Sequence, residues 1–169
     1  MSIVKTDRLS LRKIDTDDAK FMLRLLNDPA FIQYVGDKKV RDLESAKTYI
    51  LEGPVASYHS FGFGLYLVEL NDGLTPIGIC GILKRDFLDH ADLGFALMPG
   101  YREAGYAFEA AQATVELARS DLKLSHMVAF TAANNTRSIK LLEKLGMAFD
   151  RMIDLPADGK RVKLYGYSL

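Results

Sequence analysis

Two short constellations in this 169-residue chain have residue types and spacings suited to chemistry. The first is Pro99-Gly100-Tyr101-Arg102-Glu103-Ala104-Gly105-Tyr106-Ala107-Phe108-Glu109-Ala110, in which Arg102, Gly105 and Ala107 stand at R-x-x-G-x-A spacing. An apolar strand pattern ends at Pro99 and a long helical pattern follows. A turn of exposed backbone N–H groups would then run into a helix N-terminus, where partial positive charge accumulates, and such a turn can cradle a pyrophosphate. A bare match more often marks a tight turn opening a helix; the strand-turn-helix setting is what points to an anionic ligand. The second constellation is Asn135-Thr136-Arg137-Ser138. Ser138 falls on one helical stripe with Leu141, Leu142 and Leu145, so it faces inward at the mouth of a helix, toward a cleft. Plain capping of a backbone group and a chemical role are both open to its hydroxyl.

The elements that must position these residues follow from patterning. Leu9, Leu11 and Ile14 alternate with polar neighbours as a first, outer strand. Asp15 or Thr16 caps a helix with Ala19, Met22, Leu25 and Leu26 on its apolar face, ended by Asn27-Asp28-Pro29. Asp42 caps a second helix carrying Ala46, Tyr49 and Ile50, stopped before Gly53-Pro54. From Gly62 to Leu70 both faces are apolar, which predicts a central strand, and Asn71-Asp72-Gly73 turns it antiparallel into Pro76 to Lys84. Gly78 and Gly81 admit close approach of another backbone or a ligand. A strand over Ala91 to Met98 leads into the cradle and a helix from Ala104 to Ser120, seated close to the sheet by Ala107, Ala110, Ala111, Thr114 and Ala118. A strand from Met127 to Ala132, a helix capped by Asn135, and a closing pair, Arg151 to Leu155 and Val162 to Tyr167, complete the order βααβββαβαββ. This is an α+β fold.

Length and an apolar fraction of 49% suit one domain over residues 1–169 with a single core. Acidic and basic residues balance at 22 each, so net charge points to neither nucleic acid nor an anionic membrane. The lone Cys80 sits in an apolar run, excludes an internal disulfide and fits a reducing compartment. No signal-peptide pattern opens the chain and no apolar run is long enough to span a membrane, which together predict a soluble, cytoplasmic protein.

The chain resembles the GNAT superfamily of acyl-coenzyme A N-acyltransferases. Arg102-Glu103-Ala104-Gly105-Tyr106-Ala107 is similar to that family's motif A, and Asn135-Thr136-Arg137-Ser138 with Leu145-Gly146-Met147 to its motif B. Thr6-Asp7-Arg8-Leu9-Ser10-Leu11-Arg12, with Asp28-Pro29, resembles the branch containing ribosomal-protein N-terminal alanine acetyltransferases. The resemblance implies acetyl-CoA as cosubstrate, no metal, and a primary amine as acceptor, either a protein N-terminus or a small molecule. It implies cofactor contacts from Leu97, Met98, Arg102, Glu103, Ala104, Gly105, Tyr106, Ala107, Asn135 and Ser138, with an oxyanion donor among the backbone N–H groups near Leu97 or Met98.

Two departures stand out. Glu103 fills a place where members often carry glycine, and Leu142 fills the position of the tyrosine that many use as general acid. In the branch resembled, the N-x-x-S serine substitutes, which makes Ser138 the candidate beside the coenzyme sulfur. Asp92 matches the carboxylate that members commonly hold on the strand before motif A and would act as base, directly or through water; a solvated strand carboxylate is the plainer alternative. Glu69 and His90 are weaker candidates for that role. A non-catalytic acyl-CoA sensor and, on Arg137, Lys140 and Lys144 alone, a nucleic-acid-binding domain are the competing readings. The acceptor and the oligomeric state, monomer or homodimer, stay open.

Overall fold

The computed structural model describes residues 1–169. Its alternating apolar segments assemble into one eight-stranded sheet: β1 (Ser2–Lys5), β2 (Leu9–Lys13), β3 (Leu65–Leu70), β4 (Pro76–Leu83), β5 (Asp92–Leu97), β6 (His126–Ala132), β7 (Ala148–Asp154) and β8 (Arg161–Ser168). The spatial order is β1-β2-β3-β4-β5-β6-β8-β7. Every neighbouring pair is antiparallel except β5 and β6. The helices are α1 (Ala19–Leu26), α2 (Pro29–Tyr34), α3 (Leu43–Ile50), α4 (Ala56–Phe61), α5 (Tyr106–Ser120) and α6 (Thr136–Lys144). The α+β class agrees with the sequence, and the sheet is mixed and mostly antiparallel.

Three elements depart from the expected order. Ser2–Lys5 adds an exposed edge strand outside β2, too short and polar to show alternation. Asp28-Pro29 ends α1 as expected but also starts α2: Asp28 accepts from the Phe31 N–H and Pro29 stands at the first helical position, where its missing donor costs nothing. The chain also stays helical through Gly53-Pro54. Residues Leu51–Val55 form a wide π-type turn around Pro54, α4 continues directly, and Gly62 at φ 78° closes it. The widened turn changes the hydrogen-bond register where proline has no N–H to give.

Two apolar layers clasp the sheet. Tyr66 and Val68 of β3 face the layer shared with α5 and α6, whereas Leu67 faces the layer under α1 and α3. Burial of both faces makes β3 a central strand, between β2 and β4. Ala110, Ala111, Thr114 and Ala118 bring α5 close to the sheet, with Thr114 Oγ1 3.3 Å from Cys80 Sγ. Burial pushes the Cys80 thiol up to about 12, so it is inert. The two strand glycines serve neighbouring backbone: a Cβ on Gly78 would strike Ala96 and Leu97, and one on Gly81 would strike Gly64 and Leu65.

One interruption matters most. β5 and β6 pair only at Asp92 and Val128, with the Val128 N–H donating to the Ala91 carbonyl at 3.0 Å. Beyond that point β6 is held by β8 along its length and β5 by β4. The parallel strands part, leaving an opening that leads to the loop before α5.

Candidate active site

The edge of β5 along this opening presents free backbone donors. In an antiparallel ladder alternate N–H groups point to the same neighbour. The Met98 N–H donates to the Ile77 carbonyl of β4 at 2.8 Å, so Met98 is not the free donor. By alternation the N–H groups of Leu97 and Phe95 point the other way, into the gap.

The loop that follows reaches α5 through three residues of positive φ: Gly100 at 93°, Glu103 at 67° and Gly105 at 85°. Gly105 is the N-cap and brings no capping side chain. The first helical hydrogen bond runs from the Glu109 N–H to the Gly105 carbonyl at 3.0 Å. From Gly105 to Phe108, therefore, no N–H finds an acceptor within the protein, and these donors add to the positive end of the α5 dipole.

Arg8, just before β2, braces this loop. Its Nη1 donates to the Ala104 carbonyl at 3.0 Å, its Nε to Glu109 Oε1 at 2.7 Å, and its guanidinium lies 4.3 Å from the Tyr106 ring centre. Thr6 Oγ1 donates to Glu109 Oε2. Burial works to raise the Glu109 carboxyl, but the bonds from Thr6 and Arg8 outweigh it and hold the carboxyl below its ordinary value. The Arg102 side chain turns away from the loop's donors. Its Nε and Nη2 donate to the Leu97 carbonyl at 3.1 and 2.9 Å, and Nη2 reaches Asp28 Oδ2 at 2.6 Å.

At the other side of the opening, Asn135 Oδ1 accepts from the Ser138 N–H at 3.2 Å. Asn135 thus does the capping, and the half-buried Ser138 hydroxyl makes no hydrogen bond within the protein. Leu142 is buried in the core layer. Arg137 Nη2 reaches from α6 to Glu103 Oε1 at 2.8 Å, an ion pair whose side chains are 61% and 72% exposed.

Asp92 begins β5 where the strands part and is 2% exposed. Arg85 Nε lies 3.1 and 3.3 Å from its two oxygens. Burial raises the Asp92 carboxyl to about 6, against the pull of Arg85. The Arg85 guanidinium also lies 5.0 Å from the ring centre of Phe130 on β6. The two other acid-base candidates are placed differently: Glu69 is buried against Arg12 Nε at 3.2 Å, and His90 is exposed, stacked on His126 at 4.9 Å.

Residues 8–148 match the family described as the acetyltransferase (GNAT) domain. The chain belongs to the GNAT acetyltransferase family. It is 27% identical to the uncharacterized N-acetyltransferase p20 of Bacillus licheniformis, over 100% of this chain and 96% of that relative. A solved acetyltransferase from Agrobacterium tumefaciens superposes with a TM-score of 0.83 at 27% identity, covering 98% of this chain and 94% of that one. The ribosomal L7/L12 alpha-N-protein acetyltransferase RimL, solved with coenzyme A, shares the fold with a TM-score of 0.82 at 14% identity, covering 100% and 98%.

The backbone of Glu103 lies in the left-handed region at φ 67°, which suits the glycine that the resemblance implied for this place. Arg8 is a structural contributor that sequence reasoning missed. Its signal was faint, because nothing local says that a residue before the second strand reaches a loop almost a hundred positions later. Arg85 was missed too, although a cation seven positions before a candidate base, in the loop that leads into its strand, was a usable clue. Of the tyrosines on the helices before β3 and on the closing hairpin, Tyr58 and Tyr165 are buried in the core, while Tyr34 and Tyr49 keep partial exposure.

Proposed function

We propose that this GNAT acetyltransferase, a single domain over residues 1–169, moves the acetyl group of acetyl-CoA directly to a primary amine within a ternary complex. The observation that carries this reading is the run of acceptor-less N–H groups from Gly105 to Phe108, beside an opening between β5 and β6. A pyrophosphate is the ligand that such donors suit. That this fold holds the coenzyme is supported by RimL with coenzyme A and by the microcin C7 self-immunity acetyltransferase MccE with acetyl-CoA and AMP.

In this mechanism the pyrophosphate lies against the backbone of Arg102 to Ala107 and the pantetheine arm enters the gap. The Leu97 N–H receives the thioester oxygen as charge develops on it. Asp92 removes a proton from the amine, through a water, and the nitrogen attacks the carbonyl carbon. The C–N bond forms, the C–S bond breaks, and the thiolate leaves with the Ser138 hydroxyl donating a hydrogen bond to the sulfur, while the proton taken up by Asp92 passes through water to the thiolate. A carboxyl near 6 is ionised at neutral pH yet basic enough for this role.

Release of free thiol from acetyl-CoA, assayed over a panel of amines and peptides, tests the proposal. Asp92→Asn and Ser138→Ala should each lower turnover ~10²-fold. Unchanged turnover in both variants would remove these roles. Thermal stabilisation by acetyl-CoA without thiol release on any acceptor would make the chain a binder and not an enzyme.

A further inference from the structure

Arg85 is only partly used by the protein. It hydrogen-bonds Asp92 through Nε alone, and neither terminal nitrogen has a protein acceptor. Its side chain is 33% exposed, and the guanidinium is held between Asp92 on β5 and the Phe130 ring on β6. The free edge of a guanidinium is a rigid two-donor fork that matches a carboxylate or a phosphate.

The surroundings reinforce this. Lys38, in the connection between α2 and α3, makes no ion pair; burial and then Arg85 lower its ammonium, with Asp158 of the β7–β8 turn opposing. Lys84 adds a third cation near Asp92. Arg85, Lys38 and Lys84 thus bring three cations to this region, and Asp92 is already engaged by Arg85.

We infer that the amine accepted by this site carries an anionic group, a carboxylate or a phosphate, which the free edge of Arg85 binds with help from Lys38 while Asp92 faces the amine. The inference rests on the reading of Asp92 as the base. Local positive charge also disfavours the ammonium form of the entering amine, which must be neutral to attack. It disfavours polycations for the same reason, so polyamines and aminoglycosides are poor acceptors.

The test compares kcat/KM for thiol release with matched acceptors: L-amino acids against their carboxamides, O-phosphorylated amino alcohols against the parent amino alcohols, and spermidine. The wild-type protein should favour the anionic member by ~10-fold or more in one of the two series, the scale of a charge-assisted contact, with spermidine below both. The series that shows the preference identifies the anion. Arg85→Met should bring the ratio close to one, Arg85→Lys should keep part of it, and Lys38→Met should reduce it. A loss common to both members of a pair reports disturbance of Asp92, whereas the ratio reports recognition. A wild-type ratio near one, a ratio untouched in all three variants, or a preference for spermidine overturns the inference with the acetyltransferase reading intact. Failure of every amine to release thiol overturns both.

Discussion

Arg102 is bound to Asp28, 74 positions earlier in the chain, by a 2.6 Å ion pair between Nη2 and Oδ2. The same guanidinium holds the Leu97 carbonyl, and the same carboxylate caps α2 through the Phe31 N–H. One pair thus locks the end of β5, the start of the cradle loop and the α1–α2 junction together. Asp28 is almost fully buried, so removing its partner strands a charge. Arg102→Ala should therefore cost about 3 kcal/mol of stability, measured by urea unfolding. Coenzyme affinity should fall through misplacement of the loop, not through loss of a phosphate contact. If the affinity of Arg102→Ala showed a shallower salt dependence than the wild type's, as loss of a phosphate-bound cation would give, that account would fail.

Glu103 gives the opposite expectation. Its backbone lies in the left-handed region at φ 67° and its only ionic partner, Arg137, is exposed. Glu103→Gly relieves a conformational penalty of about 1 kcal/mol and gives up a surface ion pair of little net value. It should raise the unfolding midpoint slightly and leave coenzyme affinity unchanged or tighter by calorimetric titration. A large loss of affinity would show that the carboxylate helps to hold the cofactor.

Asn135 and Ser138 should separate cleanly. Asn135 caps α6 through the Ser138 N–H, whereas the Ser138 hydroxyl bonds nothing in the protein. Asn135→Ala should cost about 1 kcal/mol of stability, and Ser138→Ala should leave the unfolding midpoint in place while lowering turnover. A Ser138→Ala variant that unfolds earlier at full turnover would assign the hydroxyl to structure.

Most of the fold was legible because each signal was local. Asn71-Asp72-Gly73 turned β3 into β4, and Asn135 capped α6, as their sequence implied. Gly53-Pro54 misled because proline's missing donor was absorbed by a widened turn, a compensation set by tertiary packing. For the site, the positions of the loop before α5 and of the strand that leads into it were readable from spacing. The directions of side chains were not: that Arg102 turns to Asp28, that Arg8 braces Ala104, and that Arg85 pairs with Asp92 depend on contacts between distant segments.

Asp92 yields the prediction with a definite sign. Folding raises its pKa from 3.8 to about 6, with burial as the largest cause. Between those values the folded protein binds the proton more tightly than the unfolded chain. The resulting contribution is fully present below the unfolded value and is lost as pH rises through the folded one, a change of ~3 kcal/mol for the whole rise. Asp92→Asn removes this dependence, so its stability relative to wild type should climb from about pH 4 to about pH 7 and then level off. Urea unfolding across that range measures it. The same ionisation should set the acidic limb of kcat/KM near pH 6 in the wild type, using an acceptor amine whose own ionisation lies well above, and Asp92→Asn should lose that limb. A stability difference that stayed flat across the window, together with an acidic limb that survives Asp92→Asn, would show that the buried carboxylate neither titrates there nor serves as the base.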